Sequence, residues 1–484
     1  NLSPTPPSLL PRLIIIIIFG FLGSFQMGYR RSVFLLIETL SQRPAIVAGT
    51  HAVVVSHLLP AMACCLEGTH ATAAPMSSEG GNDMLLSLRI ISDLLTNVLR
   101  VGKLRSTLEG GDGTDSAVYA FVCQSLLPKY STLLGGATPD PLPQLALKML
   151  CTVLDRDQQG MHGESFVVVL HRMRLVRRII TNLSHQPPLA QQDADAGLRT
   201  RDGEEASVHA ARALWYILRW KDTSMLELHR FDLVHRLRKA TVAAWRQNAS
   251  ACFEPLLACT EAVLLHACKM IRNSFVREGG GRGGSSGGSG GQCGPGRLDG
   301  GLMGSDPTTS LRAQDPLLNL KEVREYCREL LRPEYVLTVS TLVADHAGES
   351  PTAAEETRLR ASQCLLLMGQ FLGAEFFDVL ADHACLTAIE KALVLRHDHA
   401  ELLNAGRSRN VSMAMRLLQL LVFALESGDT SQISHSLAAH RGIVAALRKC
   451  EGSADSRDLH TARSGSWAGL SISALSHIVM QKMR

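Results

Sequence analysis

The chain has 484 residues, 46% hydrophobic and only 5% aromatic, with a net charge of +4. That length exceeds what one growing core accommodates, so two or three packed units are expected. The apolar content leans on Leu, Ala and Val, which suits packed helices, and the charge is too small to mark a dedicated nucleic-acid binder.

The first distinctive stretch, Leu13 to Phe25, reads LIIIIIFGFLGSF between basic residues Arg12, Arg30 and Arg31. As a helix it spans about 20 Å, short of the roughly 30 Å hydrocarbon core. No A-x-A-like cleavage site follows closely, so residues 1–32 are read as an apolar leader, disordered or spurious.

From Asn82 a helical period is clear. Asn82 or Asp83 can cap a helix start, and Met84, Leu88, Ile91, Leu95 and Val98 then form one stripe at alternating steps of four and three. Gly110, Gly111 and Gly113 stop it. The next helix runs from Asp115 or Ser116 to Leu134, and Pro128 should kink or split it. The turn GGATPDP leads into LPQLALKMLCTVL, with Pro143 in the tolerated first turn. Similar helices are expected over Phe166–Leu183, Ala206–Trp220, Met225–Gln247 and Phe253–Val276.

Glycine then fills more than half of residues 279–304, a flexible coil with an average reach near 30 Å. Helices resume over Leu317–Ala347, Glu355–Gly373, Glu375–Leu395, Val411–Ser427, Ile433–Cys450 and Ser466–Met483. Four of the helices open on a small residue followed by Leu-rich spacing: Ala146, Ala211, Ala361 and Ala414. This is the look of the packing helix of a HEAT or armadillo repeat, in which the small side chain lets neighbours approach. The expected fold is therefore all-α, an α-solenoid of HEAT/armadillo-type helical repeats interrupted by a disordered Gly-rich loop. Residues 33–277 form its N-terminal part, 278–316 the flexible loop and 317–484 its C-terminal part.

No catalytic constellation stands out. Gly279, Gly281 and Gly284 fit G-x-G-x-x-G, but they lie in low-complexity glycine and serine with no strand before them. Cys252, Cys259 and His266 line one helix face at steps of seven, whereas zinc sites use closer ligand pairs. His397, Asp398, His399 and Glu401 read as a solvated helix end. The twelve cysteines include no C-x-x-C pair and fit a reducing compartment. No cofactor or metal is expected, and no enzyme activity.

Basic clusters are the better lead. Arg174, Arg177 and Arg178, with Arg172, decorate one predicted helix, Arg174 and Arg178 sharing a face. Arg236, Arg238 and Lys239 crowd the end of another. Stacking that aligned the clusters would give a positive strip for an acidic protein partner, such as a tubulin tail.

Two stretches carry a resemblance: LLPKYSTLLGGATPDPLPQLALKML (Leu126–Leu150) and KDTSMLELHRFDLVHRL (Lys221–Leu237). They resemble the HEAT/armadillo region that follows the kinase-like domain in the family of the fourth Unc-51-like kinase, a group related to the Fused kinases and the plant Runkel protein. The likeness extends as repeat style to Met483 and is absent from the leader and glycine tract. It implies a non-catalytic scaffold in microtubule-linked processes such as cilium assembly or cytokinesis, beside a kinase-like domain often regarded as inactive. The expected partners are other proteins, microtubule-associated or of the kinase family, and the expected location is the cytoplasm, at cytoskeleton or cilium. Neither DFG nor HRD nor V-A-I-K occurs, so no active-site residue of the family carries over. Two alternatives stay open: the regulatory tail of an active Ser/Thr kinase, and a membrane-anchored helical protein using Leu13–Phe25. Nucleic acid is not expected as a partner.

Overall fold

The computed structural model describes residues 27–66, 78–109, 113–135, 141–157, 166–183, 196–220, 228, 231–279, 316–344, 351–399, 407–426, 431–451 and 472–483. Residues 1–26 of the apolar leader and the glycine tract beyond Gly279 lie outside these residues, whereas residues 27–32, expected as leader, are helical and open the first helix. Among the described residues every regular element is helical. Contacts divide the chain into two compact units, Asn1–Thr223 with Arg246–Cys259, and Ser224–Trp245 with Thr260–Arg484.

The first unit begins with α1 (Met27–Ser41), α2 (Pro44–Gly49), α3 (His51–Val53) and α4 (Leu59–Cys64). It continues through α5 (Ser78–Glu109), α6 (Gly113–Phe121), α7 (Leu127–Leu133), α8 (Leu142–Asp157), α9 (Phe166–Arg172), α10 (Leu175–Asn182) and α11 (Ala196–Arg219). Long helices α5, α8 and α11 pack in that order as one layer, and the shorter helices form the other. The predicted stripe is the core of α5: Met84, Leu88, Ile91, Leu95 and Val98 are each at most 3% exposed. Burying each such side chain is worth about 1.5–3 kcal/mol. Ala146 of α8 and Ala211 of α11 are fully buried, as their small size at close-approach positions predicts. Helix α5 starts earlier than expected, at Ser78, so Asn82 and Asp83 are not its cap.

Pro128 does not break its helix. A π-helical turn, Val122–Leu126, joins α6 to α7 and widens the ladder where proline lacks an N–H and crowds a carbonyl. The same device recurs at Val54–Leu58 before Pro60. The two sequences, VVSHLLP and VCQSLLP, are one repeated signature, and the segments pack against each other's helices.

In the second unit the elements are α12 (Leu233–Gln247) and α13 (Phe253–Gly279), each with residues on both sides of the division, then α14 (Pro316–Cys327), α15 (Pro333–Ala344) and α16 (Pro351–Leu372). Next come α17 (Ala374–Leu380), α18 (His383–His399), α19 (Arg407–Glu426), α20 (Ser431–Ala439), α21 (Arg441–Glu451) and α22 (Ile472–Met483). They repeat in threes. Helices α15, α18 and α21 stack as one row, α16, α19 and α22 as a second, and the short α17 and α20 touch in a third. Ala361 and Ala414 sit fully buried in the second row. Polar ties stitch the tiers: Arg360 pairs with Glu261 at 3.0 Å and Glu356 at 3.3 Å, and Arg416 donates to the Leu359 carbonyl at 2.8 Å. Tyr335 donates to Thr260 at 3.2 Å from a fully buried hydroxyl.

Four helices expected as continuous are each split in two. Pro333 ends the 3₁₀ turn Arg328–Leu331, Asp382 caps α18 by accepting the Ala384 N–H at 3.0 Å, and His440 separates α20 from α21. Between α9 and α10 the chain turns at Arg174, with φ 59° and ψ 25°. One helix over Phe166–Leu183 cannot bury both Val169–Leu170 and Leu175–Val176 on a single stripe, and the turn resets the phase.

Only Ser250–Ile271, among the described residues, is helical, long and apolar enough to cross a membrane, and 67% of its most apolar 18-residue stretch is buried inside the protein.

Candidate interaction surface

The first basic cluster is exposed. Arg177 and Arg178 project from α10 and Arg174 from the left-handed turn before it, and none of the three has an ion-pair partner among the described residues. The turn takes Arg174 off the helix, so it does not share one continuous helical face with Arg178 as the spacing predicted.

The second cluster lies in the other unit and has a different character. Lys239 is exposed and Arg236 half-buried, but Arg238 is only 8% exposed. Its Nη1 donates to Glu334 Oε1 at 2.7 Å, and its Nε lies 3.5 Å from Glu329 Oε2. Glu329 also faces His235 at 3.2 Å and Arg332 at 3.7 Å. Its carboxyl is held below the usual carboxylate range, first by the His235 hydrogen bond and further by Arg238 and Arg332, against a burial effect that raises it. Arg238 therefore ties α12 to the turn Arg328–Leu331 and to α15, and it is corrected from a partner-binding residue to a structural cation. A buried guanidinium persists only where acceptors surround it.

A third group escaped the sequence reading. On α11, Arg212, Trp215, Tyr216 and Arg219 follow at helical spacing on the side away from the buried Ala211, Leu214 and Leu218. Arg219 sits 4.7 Å from the centre of the Trp215 ring, a cation–π contact. Tyr216 donates to Asp155 Oδ1 of α8 at 2.8 Å, fixing the two helices side by side. Burial and then that hydrogen bond push the Tyr216 phenol upward.

Between these helices lies His209. Burial first, then the charges of Arg212 and Lys148, push its imidazole down to about 4. Its Nδ1 is buried with no hydrogen-bond partner among the described residues. Beneath it Cys151 donates its thiol to the His209 carbonyl at 3.2 Å, and burial pushes that thiol up to about 12. Lys148 and Arg212 are exposed and unpaired among the described residues. In ARALWYIL the alanines and leucines mark the buried half, and the intervening Arg, Trp and Tyr are the sequence signal for the other half.

Cys252 and Cys259 are core thiols, and Cys259 donates to the Ala211 carbonyl at 3.0 Å. No group of three potential metal ligands occurs among the described residues. The side chains of His397, Asp398, His399 and Glu401, and most of the glycine motif, lie outside them.

Helical layers of this build define an all-α solenoid of the HEAT/armadillo class. The structure resembles a chain of the SYS-1/POP-1 crystal complex over 100% of this chain and 82% of that one, with a TM-score of 0.51 at 10% identity, a likeness of fold alone. Residues 25–162 match the family described as "Serine/threonine-protein kinase ULK4-like, HEAT repeats". The mouse serine/threonine-protein kinase ULK4 is 23% identical over 259 residues, 51% of this chain and 18% of the kinase. The chain thus spans less than a fifth of that relative, and its residues 25–162 resemble HEAT repeats of the ULK4-like kind.

Proposed function

We propose that the chain is a non-catalytic protein-interaction scaffold, the helical-repeat part of a kinase-like protein serving microtubule or cilium processes in the cytoplasm. The observation that carries this reading is the exposed trio Arg174, Arg177 and Arg178, unpaired among the described residues, on helices that follow the ULK4-like match over residues 25–162. Unneutralised guanidinium groups on a rigid helical support favour an acidic partner, and the partner proposed is the tubulin tail. Co-pelleting with microtubules tests it. The chain should pellet with intact microtubules, and both tail removal by subtilisin and the triple change Arg174→Glu, Arg177→Glu, Arg178→Glu should abolish this. Equal pelleting of wild type and triple variant would sink the proposal. The kinase name of the mouse relative favours a second reading, a regulatory region for an active kinase domain. Phosphate transfer by the full-length gene product, altered when these repeats are removed, would support it.

A further inference from the structure

We propose that the α8–α11 face carrying Lys148, Arg212, Trp215 and Arg219 is a docking site for an extended acidic peptide with an apolar anchor. This rests on the chain being an interaction region, but on a different layer from the α10 arginines.

Three independent observations meet at this face. The first is surplus positive charge. Lys148, Arg212 and Arg219 outnumber the carboxylates Asp93 and Asp155 on this face, and Lys148 and Arg212 form no ion pair among the described residues. Both cations act on His209, whose imidazole is pushed down first by burial and then by Arg212 and Lys148. Its buried Nδ1, without a partner among the described residues, lies at the same seam. The second is the half-buried Trp215, whose ring is braced by Arg219 at 4.7 Å and by the Tyr216 ring at 5.1 Å. A braced aromatic offers contact area at little entropic cost, which is how such residues come to dominate binding energy. The third is spacing. Residues three apart on a helix stand about 5–6 Å from each other. Alternate side chains on one side of an extended peptide are about 7 Å apart. Arg212 and Trp215 thus match an acid-x-apolar pattern, the carboxylate on Arg212 and Lys148 and the apolar side chain on Trp215.

A peptide fits better than a nucleic acid. Asp93, flanked by Lys148 and Arg89, and Asp155 interrupt the positive field. A continuous phosphate backbone would meet those carboxylates, whereas a peptide can place neutral residues against them.

The probe is a fluorescein-labelled peptide of alternating glutamate and serine with one central phenylalanine, titrated with the whole chain by anisotropy. Wild type should bind it, and Arg212→Glu and Lys148→Glu should each weaken binding tenfold or more. Trp215→Ala should erase the preference over a matched peptide with alanine in place of phenylalanine. The lysine version of the peptide should not bind. Thermal unfolding verifies the fold of each variant, and Trp215→Phe, which keeps an aromatic anchor, should retain the preference. The triple α10 variant should bind as wild type does, separating this site from the microtubule reading. Undiminished binding by folded Arg212→Glu, no binding by wild type, or tighter binding of a single-stranded oligonucleotide would each overturn the proposal.

Discussion

Arg238 shows how little a residue's type says about its role. Three basic residues within four positions look like a surface patch, yet one points inward, where Glu334 and Glu329 hold it. Removing it takes a hydrogen bond from Glu334 and a cation from Glu329, so Arg238→Ala should cost about 2 kcal/mol, the scale of hydrogen bonds to charged groups. Denaturant unfolding measures this, and Arg236→Ala, on the same helix without these bonds, should cost far less. The sign of the pH dependence follows from Glu329. Its folded pKa lies below the unfolded value of about 4.3, so its contribution is complete above that pH and is lost as pH falls through the folded value. Glu329→Gln should therefore lower stability at pH 7 and flatten the decline below about pH 5. An equally steep acid decline in the variant would contradict this account.

At the scale of elements, breaks matter as much as helices. Arg174 adopts a left-handed conformation that costs an L-residue about 1 kcal/mol or more. Arg174→Gly should leave the melting temperature unchanged or raised, since glycine takes φ 59° without strain but loses more entropy on folding. Arg174→Pro should lower it sharply, because the ring cannot adopt a positive φ. Close helix approach gives a second prediction. Within α16, a Cβ on Gly369 would lie 2.8 Å from Leu420 Cδ1 of α19 and 3.1 Å from the Phe377 ring of α17. All three helices are packed there, with Leu420 and Phe377 at most 1% exposed, so neither neighbour can yield freely. Gly369→Ala should destabilise by about 1–3 kcal/mol despite its better helix propensity. A stabilising outcome in thermal unfolding would refute that packing.

At the scale of the whole molecule, the buried cysteines among the described residues act as small apolar side chains. Cys259 and Cys364 are fully buried, Cys327 is pushed up to about 12 by burial, and Cys364 is raised well above the usual thiol value by the same cause. Only the thiolate reacts, so these sites should resist alkylation in the native chain. Cys64 is exposed and should label first among the described thiols. Site-resolved labelling by mass spectrometry, with and without denaturant, reads this directly; rapid native labelling of Cys364 would argue against the packed core. Both units share this trait, because each closes its layers with small side chains where helices meet.

Helical class, repeat style and the buried stripe were legible from residues alone, since 3.6-residue periodicity and small residues at helix openings are local properties of the chain. The repeated V-x-x-x-L-L-P signature was legible too, although its meaning as a π turn was not, because it depends on how a proline is fitted into a packed layer. Which cations remain free was decided only by tertiary structure. Arg238 meets glutamates about ninety residues further on, and the charges of Arg212 and Lys148 converge on His209 from two helices, proximities that no local pattern encodes. The sequence determined what would be buried; the packing of one helix on the next decided which charges were left facing a partner.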